Sequence, residues 1–121
     1  MEIIYSSIKD IEGLYKVLGD ENRLKILFLL MEKGEACVRD IQRVLNVAQP
    51  TVSRHLGYLK KMGIVTEGRR GRWNYYSVEK HQPEIVKYQL NALKTAQYRR
   101  IFLEELHRLI ETLPTSTKPR R

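Results

Sequence analysis

Between residues 8 and 18 the apolar side chains Ile8, Ile11, Leu14, Tyr15 and Leu18 recur every three or four positions, which predicts one amphipathic helix face. Gly19 follows as a stop signal. Asp20 can cap a second helix, Glu21 suits its first turn, and Leu24, Ile26, Leu27, Leu29, Leu30 and Met31 give it a broad apolar surface before Lys33 and Gly34. Such a helix belongs in a core.

A third, short helix from Val38 to Leu45 points Val38, Ile41, Val44 and Leu45 inward and Arg39, Gln42 and Arg43 outward. Asn46 then permits a tight turn, because asparagine tolerates the left-handed backbone region. A fourth helix spans about residues 49–62, with Pro50 in its first turn, a buried stripe of Val52, Leu56 and Leu59, and Gly63 closing it. "IVTEGRR" and "RWNYYSV" are rich in β-branched and aromatic residues and flank a tip from Gly68 to Arg72, which predicts a two-stranded hairpin. From Pro83 to about Leu113 the pattern is helical again, with Val86, Leu90 and Leu93 in the first half and Leu103, Leu106, Ile110 and Leu113 in the second. That reads as a single fifth helix, too long and too apolar to serve only as cover, so it and the first helix are expected to form a homodimer interface. The expected fold class is mainly α with a small β-hairpin, in the order helix-helix-helix-helix-strand-strand-helix. A single domain is expected over residues 1–113, followed by a flexible basic tail, 114–121.

Charge sharpens this picture. The chain of 121 residues carries a formal net charge of +8. The excess is uneven: residues 1–38 are slightly acidic, whereas basic side chains outnumber acidic ones three to one over 39–80. Helix, tight turn, helix and basic hairpin together form the winged helix-turn-helix arrangement, whose partner is double-stranded DNA. Gln49, Thr51, Ser53 and Arg54 face outward near the start of the fourth helix, where amide, hydroxyl and guanidinium groups can reach base edges or phosphates. His55 reads as a polar residue of the same helix, touching phosphate or packing at its edge. Arg69, Arg70 and Arg72 at the hairpin tip can grip the backbone or minor groove. No apolar run is long enough to span a membrane and no secretion signal opens the chain, so a cytoplasmic protein without membrane contact is expected. No catalytic motif is present, and an enzyme is not expected.

Three stretches, "LGDENRLKILFLL" (18–30), "QPTVSRHLGYLKKMGIV" (49–65) and "GRRGRWNYYSV" (68–78), closely resemble the second helix, recognition helix and wing of the ArsR/SmtB family of winged-helix repressors. The resemblance covers about residues 8–113. It implies a homodimer that binds a palindromic operator and represses transcription, often until an effector releases it. The family's DNA-contacting positions fall on Gln49, Ser53 and Arg54, assisted by the wing arginines. Ala48 departs from the pattern, standing where the family often has a capping serine; alanine caps poorly, at a cost of about 1 kcal/mol.

By the same resemblance "EACVRD" (35–40) occupies a motif whose two thiolates, two residues apart, bind soft metals or arsenite. Here Cys37, the only cysteine, holds the first position and Arg39 the second. One thiolate beside a guanidinium lacks both the pair and the charge that such a cation needs. The family's other site spans the paired last helices; Glu104, His107 and Glu111 share one helix face here, but residues 84–94 contain no histidine or aspartate for its first half, and His81 lies ahead of the helix. Neither a metal nor a cofactor is expected, and the sequence identifies no effector. Cys37 reads as a half-buried residue at the start of the third helix, with a thiolate activated by the helix N-terminus and Arg39 as the competing reading. Two other functions stay open: an architectural DNA-binding protein with little sequence preference, and a metal- or thiol-responsive repressor using Cys37 or His107.

Overall fold

The computed structural model of the chain describes residues 5–111. Helix α1, Ile8–Leu18, begins in a capping box: the Asp10 amide donates to Ser7 Oγ at 3.1 Å and the Ser7 amide donates to Asp10 Oδ2 at 3.1 Å. Helix α2, Glu21–Lys33, is capped by Asp20, whose carboxylate accepts the Arg23 amide at 3.1 Å, and it stops at Gly34, where φ is +91°. Five consecutive residues, Ile26 to Leu30, are buried, so α2 is apolar all round and forms the axis of the core. Helix α3, Val38–Leu45, ends at Asn46 with φ +56° and ψ +49°, the left-handed turn expected there. Helix α4, Gln49–Lys61, seats Val52, Leu56 and Leu59 fully in the core.

The wing is three-stranded where the sequence predicts two. β1, Ala36–Cys37, joins β2, Val65–Arg70, and β3, Trp73–Val78, in an antiparallel sheet of order β1-β3-β2. A two-residue strand carries no periodicity, which is why the pattern missed it. The loop is also tighter than the expected Gly68–Arg72 tip: Gly68, Arg69 and Arg70 belong to β2, and only Gly71, at φ +60°, and Arg72 make the turn.

The expected single helix from Pro83 to Leu113 is instead two, α5 Glu84–Leu93 and α6 Ala96–Ile110, broken at Lys94 and Thr95. The Lys94 amide reaches both Leu90 and Asn91 carbonyls, and α6 restarts with the Arg99 amide on the Thr95 carbonyl at 2.8 Å. A straight helix would carry Leu106 about 24 Å beyond Leu90 along its axis, past the end of so small a core. The break returns α6 over α2, where Leu106 is buried and Phe102 stacks on Phe28, ring centroids 3.4 Å apart. Residues of all six helices thereby enter one continuous hydrophobic core. Leu113 and the tail, 114–121, lie outside the described residues.

Candidate nucleic-acid interface

The apolar stripe of α4 determines which of its side chains remain outside. With Val52, Leu56 and Leu59 inward, Gln49 and Arg54 are exposed, and Thr51 and Ser53 are partly so. Gln49 Nε2 donates to Ser53 Oγ at 2.9 Å, so two of the expected base-reading groups already share one face and one geometry. Ala48, at the N-cap, makes no side-chain capping bond; its carbonyl accepts the Thr51 and Val52 amides at 3.0 and 3.2 Å, and Pro50 brings no amide to this first turn.

His55 does not belong to this face. It is only 6% exposed and lies on the core side of α4, its Nδ1 without a hydrogen-bond partner. Its neighbours come from the start of α2: burial pushes the imidazole below its ordinary value, the Asp20 carboxylate opposes this, and the Arg23 and Arg54 guanidinium groups reinforce it. Arg23 in turn reaches Asp20 at 3.7 Å and covers the Tyr58 ring at 4.9 Å. Of the two expectations for His55, a phosphate contact or packing at the helix edge, the burial fits the second; spacing places position 55 beside Leu56 and Leu59.

The wing is fastened to the rest of the interface through both faces of its sheet. On one, Lys60 at the end of α4 meets Glu67 of β2 at 2.9 Å, and Glu67 is paired across the strands with Tyr76. Burial, with Glu67 alongside, pushes the Tyr76 hydroxyl up to about 12, while the Lys60 hydrogen bond draws Glu67 below its ordinary range. On the other, Arg70 turns back onto Glu35, its Nη2 2.7 Å from Oε1 and its Nη1 bonded to Oε2. Arg70, exposed at the end of β2 as the sequence suggested, thus has its guanidinium engaged by Glu35. Arg69 donates from Nε to the Gly71 carbonyl at 3.0 Å, and neither Arg72 nor Arg54 pairs with an acid among the described residues.

Cys37 is buried rather than half-buried, 5% exposed, and caps α3 through its backbone conformation alone. Burial pushes its thiol up, against the pull of the Asp40 amide, and the neighbouring Asp40 carboxylate adds to the rise. This is opposite to the lowering that the competing reading, a thiolate activated by the helix end and Arg39, requires. Asp40 is itself buried, held above the usual carboxylate range by that burial, with Oδ1 unpartnered. His107 and Glu104 are exposed on α6, and among the described residues no three His, Cys, Asp or Glu side chains come together as a cation site. Glu35, Lys60, Glu67 and Tyr76 were not singled out from sequence.

A helix-turn-helix carrying a braced β-wing defines the class: a winged helix-turn-helix regulator. Residues 20–67 match the family model for bacterial regulatory proteins of the arsR family. A 70-residue stretch is 43% identical to the arsenical resistance operon repressor of Escherichia coli K12, covering 58% of this chain but only 60% of that one. An HTH-type transcriptional regulator of Methanocaldococcus jannaschii is 48% identical over 75 residues, covering 61% of this chain and 84% of that protein. In three dimensions the chain resembles the transcriptional repressor BigR of Xylella fastidiosa, with TM-score 0.59 and 29% identity over 70% of this chain and 80% of that one. The chain belongs to the arsR family, a family of transcriptional regulators and not of enzymes.

Proposed function

We propose that the chain is a sequence-specific DNA-binding repressor that acts as a homodimer on a palindromic operator. One observation carries this reading: Gln49, Ser53 and Arg54 stand clear of the core at the start of α4, beside a wing that adds Arg69 and Arg72. Gln49 suits a bidentate pair to adenine, Ser53 either base edge, Arg54 guanine or phosphate, and Thr51 the flanking backbone. The Gln49–Ser53 hydrogen bond restricts the glutamine before DNA arrives, which lowers the entropic cost of ordering it.

Dimerisation is supported by what the core leaves uncovered. Ile8, Tyr88 and Ile101 are 82%, 66% and 58% exposed, on α1, α5 and α6, and Tyr15 and Tyr98 add to that apolar surface. Two recognition helices related by a twofold axis call for half-sites one helical turn apart, about 10 to 11 base pairs, or a multiple of it.

The test is binding to DNA from the protein's own upstream region against scrambled DNA of the same length, at fixed salt. Wild type should prefer the former. Gln49→Ala with Ser53→Ala should erase much of the preference, about 1–3 kcal/mol for each side chain that no longer reads its base, while changing non-specific binding little. Equal wild-type binding to both DNAs would replace the repressor with the architectural reading.

A further inference from the structure

Taking α4 and the wing as the DNA-binding surface, we propose that Glu35 and Arg39 are positioning residues for the wing, and that Arg70 is a strut on the sheet surface, not a phosphate contact. The pleat of the sheet sorts the arginines. Directly paired residues of antiparallel strands point to the same face, and successive residues to opposite faces. Arg70 pairs with Trp73 and Cys37 with Tyr75, so these four share one face; Arg69 pairs with Asn74 on the other. Two residues before Cys37, Glu35 receives both terminal nitrogens of Arg70, and the same guanidinium lies 5.1 Å from the centre of the Tyr75 ring. Two residues after Cys37, the Arg39 guanidinium covers the Trp73 ring at 4.9 Å.

The link between α2 and α3 and the first turn of α3 therefore hold the wing at one point each. An isolated surface ion pair contributes little, but a two-bonded fork that is also stacked on an aromatic ring keeps its geometry. Arg70 is occupied by that fork. Arg69 and Arg72 remain for the DNA backbone, and the wing's angle to α4 is set from residues 35 to 39 as well as through Lys60 and Glu67.

Trp73 is the only tryptophan in the chain, so its emission reports the wing even without DNA. The experiment measures that emission, and DNA affinity across a salt series, for wild type, Glu35→Gln, Arg39→Gln, Arg70→Ala, Arg70→Lys and Arg72→Ala. Glu35→Gln, Arg39→Gln and Arg70→Lys, which keeps the charge but loses the fork, should each shift the free protein's emission. Arg72→Ala should lower the slope of log affinity against log salt by about one, Arg70→Ala should leave it unchanged, and Glu35→Gln should raise it by about one as Arg70 is freed. An Arg70→Ala slope that falls as far as that of Arg72→Ala overturns the proposal. So does an emission unmoved by both Glu35→Gln and Arg39→Gln. If no variant binds DNA, the DNA reading fails, and the emission still decides whether Glu35 and Arg39 position the wing.

Discussion

His55 and Asp40 are the buried polar residues among those described, and burial acts on them with opposite sign. A buried histidine is held neutral, so its folded pKa lies below the unfolded value. The unfolded chain then binds more protons, and stability falls as pH drops through about 6.5 towards the folded value. A buried carboxyl has its pKa raised, so the contribution of Asp40 is present at acid pH and lost as pH rises through its folded value. Denaturant unfolding at several pH values between 5 and 8 should show wild type losing stability on the acid side. In His55→Leu, which suits the core stripe, that loss should shrink. A histidine drop of equal size in both proteins would mean that His55 is not the buried titrating group. The position of His55 was legible in the spacing of α4; its residue type left a phosphate contact and packing both open, because a polar side chain can lie inward when α2 supplies Asp20 and Arg23 beside it.

At the scale of elements, α4 is the helix whose start matters most and whose cap is weakest. Ala48 has the extended backbone of an N-cap, φ −68° and ψ +149°, but no side-chain oxygen to accept an amide. Ala48→Ser should raise unfolding stability by about 0.5–1 kcal/mol, measured by urea denaturation, with the fold unchanged. The break between α5 and α6 was harder to read. Apolar residues keep their helical spacing across it, and Thr95, a residue type at home ahead of a helix, was the only local mark. What bends the chain there is the gain from laying Phe102 and Leu106 on α2, a contact between residues more than seventy positions apart. β1 was hidden for the related reason that two residues become a strand only when β3 pairs with them.

For the whole molecule, the unsatisfied surface is the apolar one on α1, α5 and α6. Ile8→Glu places a charge on a side chain that touches little within its own subunit, so the monomer should fold normally. If that face is the dimer interface, losing the isoleucine there costs about 1.5–3 kcal/mol per copy, so the dimer should dissociate at protein concentrations at least about a hundredfold higher. Sedimentation across a dilution series checks this, and an unchanged monomer–dimer balance would place the interface elsewhere. The helix-turn-helix, its wing and its basic middle third were all readable from the chain, because hydrophobic period, turn residues and charge are local quantities that one strand of text carries whole. Which polar groups are left without a partner and which are engaged by the fold was not. Arg70, His55 and Cys37 look as available in sequence as Arg72, Gln49 and Ser53, and they differ through partners that the fold brings to them: Glu35 and Tyr75 for the first, Asp20 and Arg23 for the second, Asp40 and the β3 pairing for the third. Periodicity assigns a residue to a face; the partner that occupies it arrives only once the chain has brought that face against another.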